Sequence, residues 1–274
     1  MIIKKSILLF FLFMVHISLI CQETNFETLE LRLSSLAKTV LNGETDSIKQ
    51  EANQQLTSYL FEIINQEKSY LYKFKEIEHI SILQPKNKKF KLFTWFVPYS
   101  NETFDYYGII QICNKRGKKC VTYALEKNIT LEQKDLYTPL NHHEWYGCLY
   151  YDIIPIKVNK NQYYTLLGWD GNDSKTTKKI IDVLTINKNK KPFFGANIFS
   201  NNQQRFIIEY SSQYPISLQY DKELEYIVFD HVEPIDGISK NNFSIYATNL
   251  SYDVFKKTEF GWLLEENIYL NNRK

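Results

Sequence analysis

The spacing of apolar residues changes from a helical to an alternating pattern near residue 76. Before that point, leucines and other apolar residues recur every three or four positions, as on one face of a helix. Asn42-Gly43 interrupts this spacing as a helix end does, and Thr45 or Asp46 suits the N-cap of a second helix. We therefore predict an αα-hairpin within residues 22–75. Its two apolar stripes are Leu29, Leu33, Leu36 and Val40, and then Ile48, Ala52, Leu56, Tyr59, Leu60 and Ile63.

Residues 76–274 consist of apolar runs of five to ten residues separated by short polar turns, which predicts β-strands. Asn and Asp dominate the turns, where they tolerate positive φ and bond their own backbone. The predicted strands are Phe90–Val97, Tyr106–Ile112, Val121–Leu125, Trp145–Ile156, Tyr163–Trp169, Ile180–Ile186, Phe206–Tyr210, Ile216–Tyr220, Tyr226–Phe229 and Trp262–Tyr269.

The short turns favour a large antiparallel meander, because parallel neighbours need long crossovers. About ten strands do not remain in one twisted sheet without curling or splitting. The predicted fold class is therefore mainly β (α+β), with a short N-terminal αα-hairpin and a sandwich, a barrel or propeller-like blades.

The first residues have the pattern of a secretory signal. Lys4 and Lys5 precede an apolar run over residues 7–20, which is shorter than a membrane-spanning helix. We predict a signal peptide over residues 1–21, cleaved between Cys21 and Gln22. Lipidation of Cys21 and an uncleaved anchor are the alternatives. The protein is then expected to be exported to the periplasm, the cell surface or the medium, without a transmembrane segment after cleavage.

The charge balance argues against a nucleic-acid partner. The chain has 33 basic and 31 acidic residues, and loss of Lys4 and Lys5 would leave the two numbers equal. Nucleic-acid binders usually show a basic excess or stripe. The basic segment 115–119 is typical of a solvated turn. No phosphate loop, dinucleotide fingerprint or zinc spacing occurs, so no cofactor is expected.

Three cysteines follow the predicted signal. Cys113 and Cys120 flank a polar loop between two predicted strands, so a hairpin would place them opposite each other. In an oxidising compartment they would form a disulfide. The alternative is two half-buried thiols. Cys148 then has no partner.

The second half of the chain carries the motifs EWYGCLYYDIIPIKV at 144–158, QYYTLLGWDGN at 162–172 and KKIIDVLTI at 178–186. Further pieces at 192–199, 206–211, 226–234 and 251–255 belong to the same pattern. Residues 144–270 thereby resemble a family of uncharacterised exported proteins of Gram-negative bacteria. The resemblance implies export and a β-rich body, and it supplies no catalytic residues.

Two clusters contain candidate catalytic groups. His142, His143 and Glu144 precede a predicted strand, and Asp230 and His231 lie at the end of another. Histidine beside a carboxylate serves acid–base chemistry or metal binding. Neighbours in an extended segment point to opposite sides, so we do not expect His142 and His143 to share an ion.

A third cluster has hard oxygen ligands of the kind that calcium prefers. Asp170, Asn172 and Asp173 lie within four residues, but the glycine and glutamate of an EF-hand loop are missing. The alternative is a turn closed by Asx hydrogen bonds.

Paired tyrosines at 106–107, 150–151 and 163–164 place one ring on each face of a strand. One ring of each pair is expected in the core, and the other would be available to a carbohydrate.

The leading interpretation is a non-enzymatic binding or scaffolding protein of the periplasm or cell surface, with an envelope protein or glycan as partner. The alternatives are a hydrolase acting on envelope or polymeric substrates and a calcium-dependent or glycan-binding module.

Overall fold

The computed structural model describes residues 25–114, 116–127 and 136–269. The predicted signal at residues 1–21 lies outside these ranges. Helix α1 spans Phe26–Asn42 and helix α2 spans Asp46–Ile64. The Asn25 side chain accepts hydrogen bonds from the first turn of α1, and Thr45 caps α2. Within the described residues, no helix combines the length and apolar character that crossing a bilayer requires.

Fourteen strands are described after the helices. They are β1 (Ser81–Leu83), β2 (Phe90–Pro98), β3 (Phe104–Ile112), β4 (Val121–Leu125), β5 (Leu140–Asn141), β6 (Leu149–Val158), β7 (Asn161–Asp170), β8 (Thr176–Ile186), β9 (Pro192–Phe194), β10 (Phe206–Ser211), β11 (Leu218–Asp221), β12 (Tyr226–Pro234), β13 (Tyr246–Thr258) and β14 (Gly261–Ile268).

The strands form three sheets, in the orders β1-β2-β3-β4, β5-β9-β8-β7-β6 and β11-β12-β13-β14, and β10 pairs with β8. Every pairing between these strands is antiparallel. The predicted mainly β class with an N-terminal αα-hairpin is confirmed, and the meander is split as in a sandwich. The sequence pattern does not predict strand β13, because only Ser251 and the residues 253–255 near its centre are buried. Among the described strands, the expectation that consecutive strands pair is wrong for β5, which pairs with β9, and for β10, which pairs with β8.

The helical hairpin covers one face of the first sheet. Leu33, Leu56 and Leu60 are buried against Phe93 and Trp95 of β2. Its apolar stripes therefore complete the core of the same molecule, which is how most amphipathic helices gain stability.

The second sheet is the middle layer and is buried on both faces. Leu166 and Ile180 pack toward the first sheet, whereas their neighbours Leu167 and Ile181 pack toward the third. All four side chains have no exposed surface. Successive strand residues point to opposite faces, so a strand that is apolar at every position belongs between two layers.

One ion pair is enclosed between the first and second sheets. The Arg205 Nε atom lies 3.5 Å from Asp182 Oδ1, and both side chains are fully buried. Tyr150 donates to Asp182 Oδ2 at 2.7 Å, and an Arg205 amino group donates to the Phe194 carbonyl at 2.8 Å. Burying charges is tolerated only with such pairing and hydrogen bonding.

The third sheet is joined to the second by a tryptophan. Trp262 Nε1 donates to Thr165 Oγ1 at 2.8 Å, and the Trp262 N–H donates to the Ile198 carbonyl at 2.7 Å. Gly261 has a φ of +125°, and a Cβ there would lie 2.1 Å from the Ile198 carbonyl oxygen. Only glycine allows this close approach of the two chains.

We expect Asp182→Ala to lower the free energy of unfolding by about 3–5 kcal/mol, because it leaves the buried Arg205 charge without its carboxylate. The matched control is Glu265→Ala, which removes a partly exposed pair with Lys256 and should cost no more than about 1 kcal/mol. Urea denaturation of both variants measures the difference. Equal losses would contradict the assigned role of the buried pair.

Candidate functional site

The histidine cluster lies in a turn, where His142 and His143 place their rings 4.0 Å apart. The expectation that the two side chains diverge is wrong, because the segment is not extended. His143 Nδ1 lies 3.0 Å from Glu126 Oε1, and the Glu144 carboxylate accepts from Asn141 instead. Desolvation, followed by the nearby His143, lowers the pKa of His142. The three predicted groups therefore do not converge on one point.

His231 pairs with a residue that the sequence did not indicate. Its Nδ1 lies 2.8 Å from Asp253 Oδ1, and both side chains are largely buried. Asp230 instead accepts a hydrogen bond from the Ser217 N–H at 2.7 Å. His231 and Asp253 sit where the strand register shifts, so bulges direct their side chains toward each other. Among the described residues, no serine, threonine or cysteine is hydrogen-bonded to His231.

The oxygen-rich loop 170–173 closes on itself. Asp170 accepts from the Tyr146 hydroxyl at 3.2 Å and from the Asn172 N–H at 2.9 Å. Asp173 accepts from the Lys175 and Thr176 N–H groups. These backbone hydrogen bonds lower the pKa of Asp173, although partial burial opposes them. The carboxylates thus stabilise a turn, and across residues 25–114, 116–127 and 136–269 no three histidine, cysteine or carboxylate groups converge as a metal site.

Cys113 and Cys120 form a disulfide across the β3–β4 hairpin. Cys148 is a fully buried free thiol. Burial, followed by the nearby Asp182 and Asp170 charges, raises the pKa of its thiol. A neutral, enclosed thiol is a poor nucleophile.

The paired tyrosines divide as predicted, with one ring of each pair in the core. Tyr106, Tyr150 and Tyr164 are buried. Their neighbours do not share a surface, however. Tyr107 stacks on Trp95 with ring centroids 5.9 Å apart, and the Tyr151 hydroxyl donates to the Leu218 carbonyl. Tyr163, the third of these neighbours, lines an open cleft.

This cleft has a volume of about 670 Å³ and lies where β7 begins and β8 ends, in the second sheet. Its aromatic walls are Tyr163 and Phe193, with Thr185 of β8, which pairs with Phe193, on the strand between them. The short strand β9 and the loop before β10 close the other side of the cleft. The complete lining is Lys89, Pro139, Asn161, Gln162, Tyr163, Tyr164, Thr185, Ile186, Phe193, Gly195, Ala196 and Gln204.

Polar groups of the cleft are held in place by their own hydrogen bonds. Gln162 Nε2 donates to the carbonyls of Ile156 and Tyr163, and Gln204 Nε2 donates to the Tyr137 carbonyl. Each amide therefore offers its oxygen from a fixed position. The cleft combines an apolar wall with oriented donors and acceptors, which is the usual composition of a small-molecule site.

Sequence reasoning found Tyr163 but missed Phe193 and Gln204. Phe193 lies in a three-residue strand, and Gln204 lies in a loop before β10. Neither position has a local signature, because both join the cleft only through pairing of β9 and β10 with β8.

Comparisons with known proteins add no relative: no family model, no curated protein and no solved structure matches this chain.

A buried lysine lies under the segment 69–74, which follows helix α2. Lys91 is 3 % exposed, and its ammonium donates to the Tyr72 carbonyl at 2.7 Å and to the Ser69 carbonyl at 3.4 Å. It also lies over the rings of Phe74 and Tyr70. Desolvation lowers the pKa of Lys91 to about 8.

This shift predicts a stability that rises with pH. Between pH 8 and 10 the unfolded chain keeps the Lys91 proton and the folded protein releases it, so the free energy of unfolding should increase, by up to about 1.4 kcal/mol per pH unit. Above pH 10 Tyr70 opposes the trend, because burial raises its pKa to about 12. Urea melts at several pH values measure the slope.

Lys91→Met should flatten this slope, whereas the exposed Lys89→Met should leave it unchanged. A flat profile in the unmodified protein, or an identical slope in Lys91→Met, would show that Lys91 keeps its proton when folded.

Proposed function

We propose that this protein is an exported, non-enzymatic binding protein that holds a glycan in the cleft of the second sheet. The observation that carries the proposal is the composition of that cleft. Tyr163 and Phe193 supply aromatic surface, and Asn161, Gln162 and Gln204 supply amides beside it.

A sugar ring has an apolar face of C–H groups and a rim of hydroxyl groups. Aromatic rings contact such a face, and amides both accept from and donate to hydroxyls. The backbone around the cleft is held by strand pairing and by the Gln162 and Gln204 hydrogen bonds. A preformed site of this kind binds without ordering a loop, which keeps the entropic cost of binding low.

Scattering of the ionisable groups supports a binding role over a hydrolytic one. The His143–Glu126 pair lies on an exposed turn, and the His231–Asp253 pair lies in the third sheet. A hydrolase acting on envelope polymers is the second candidate because the second pair resembles the base and orienting group of a catalytic triad. That candidate would need a nucleophile supplied by the ligand or by water.

Export is part of the proposal and rests on Lys4, Lys5 and the apolar run that follows them. The disulfide between Cys113 and Cys120 agrees with an oxidising compartment.

We expect the mature protein to begin at Gln22 and to occur in the soluble envelope fraction or in the medium. Cell fractionation followed by mass spectrometry of the N-terminus measures both. A lipid on an N-terminal Cys21 would show that the mature chain begins at Cys21 and is anchored to a membrane, which would contradict the Gln22 start. An intact leader on protein from the cell interior would contradict export.

The cleft is tested with a glycan array and then by calorimetry with the glycans retained. Phe193→Ala combined with Asn161→Ala should weaken binding about tenfold or more, because it removes one aromatic wall and one amide. Thermal unfolding should change little, since both side chains are at least partly exposed.

Phe260→Ala is the matched control, because Phe260 is 72 % exposed and lies outside the cleft. Its affinity should equal that of the unmodified protein. Failure to retain any glycan, or equal affinities of the cleft variant and the control, would overturn the proposed function.

A further inference from the structure

Four hairpin turns rich in lysine meet at one end of the molecule. Phe90, Ile112 and Val121 lie side by side in the first sheet, so the turn before β2 and the turn between β3 and β4 project from the same edge. In the second sheet, Val158 pairs with Asn161 and Ile186 pairs with Pro192. The β6–β7 and β8–β9 turns therefore also share an edge.

Direct contacts bring these two edges together. Asn87 donates to the Tyr164 hydroxyl at 2.7 Å, which joins the turn before β2 to strand β7. The Lys190 ammonium donates to the Lys119 carbonyl, which joins the β8–β9 turn to the β3–β4 turn. The disulfide between Cys113 and Cys120 closes the base of the latter turn. We call this surface the basic end, comprising Lys86, Lys88, Lys89, Arg116, Lys118, Lys119, Lys157, Lys160, Lys188, Lys190 and Lys191.

The basic end has a strong excess of positive charge although the whole chain is nearly neutral. All of these side chains are exposed except Lys190, which is partly buried. The sequence contains no Asp or Glu in the segments 79–101, 106–125, 153–169 and 183–208 that build the four turns. Glu126, at the border, is already paired with His143.

The cleft opens at this same end. Lys89 is part of its lining, and Asn161 and Gln162 follow the β6–β7 turn directly. A ligand that enters the cleft therefore passes exposed lysines, whose field in water extends over a Debye length of about 10 Å at 0.1 M salt. Like charges around a concave site focus the field and raise the local concentration of anions.

We infer that the ligand of the cleft is an acidic polysaccharide whose carboxylate or sulfate groups bind the basic end while one sugar ring occupies the aromatic site. This inference rests on the proposed function and adds the charge of the ligand to it. A chain of repeating anionic sugars matches both parts of the surface. The lysines contact successive charges, and the amides and rings contact an uncharged face.

An anionic membrane fits the surface less well. The turn residues 86–89, 116–119, 159–160 and 187–191 are Lys, Arg, Asn and Gly only. Proteins that bind membrane interfaces combine cations with large apolar side chains that enter the acyl region. Long flexible lysines around an amide-lined cleft instead suit a solvated, hydroxyl-rich polymer.

The experiment compares acidic polysaccharides with their own methyl esters, which keep the sugar backbone and lose the charge. Polygalacturonate, alginate and hyaluronate are titrated with the intact protein at about 50 mM and about 300 mM salt. At least one acid form should bind about tenfold or more tightly than its ester at the lower salt, and the advantage should shrink at the higher salt because counterions screen the lysines.

Two triple variants test whether the preference for the acid form depends on the lysines of the basic end. Lys118→Glu, Lys188→Glu and Lys191→Glu together should abolish the preference for the acid form. The matched control, Lys38→Glu, Lys222→Glu and Lys240→Glu, makes the same change in net charge at exposed lysines outside the basic end and should keep the preference. Thermal melts confirm that both triple variants are folded.

The results that would contradict the acidic-ligand inference can be told apart from those that would contradict the proposed function. Binding of the esters as tightly as the acids overturns the acidic-ligand inference and leaves the glycan-binding function standing. Equal loss in the two triple variants shows a net-charge effect without a site. Tighter binding to duplex DNA or to phosphatidylglycerol vesicles than to every polysaccharide overturns the inference in favour of that partner. Retention of no glycan in any form overturns the proposed function itself.

Discussion

Burial of the second sheet on both faces is the constraint on which the rest of the structure depends. Leu166 and Leu167 are adjacent, fully buried, and face different cores. Each core then needs its own covering layer, which the first and third sheets provide, and the first sheet in turn needs the helices over Phe93 and Trp95. The order of layers follows from the absence of a solvent-facing side in β7 and β8.

Strands enclosed in this way, such as β7 and β8, have their exposed and partly exposed residues mainly near their ends. The cleft lies at such an end, where β7 begins and β8 finishes, and the four lysine-rich turns surround it. The buried sheets thereby position the cleft and the turns that are available to ligands, as a rigid scaffold generally positions functional loops. The turns consist mostly of Lys and Asn, so the same residues close the hairpins and supply the charge.

Much of the architecture could be predicted from local patterns. The apolar spacing around Leu33 and Leu56 predicts the helices, and continuous apolar runs predict β7 and β8 as buried strands. The third sheet was predicted less completely, because β13 is long but buried only near its centre. The side-chain pairs that could carry chemistry were less predictable still. Asp253 lies 22 residues after His231, and nothing in the spacing indicates that two bulges bring them together.

Residue types along the chain are enough to establish the helices, the strands and the turn positions, because periodicity and turn propensity act over a few neighbours. They also establish which turns are basic. Whether charges that lie far apart in the sequence act together depends on which strand ends coincide, and this follows from sheet pairing and stacking. The near-neutral composition predicted no charged surface, whereas the fold gathers Lys89, Lys119, Lys160 and Lys190 at one end. Long-range pairing, which no local pattern contains, is the physical reason for the difference.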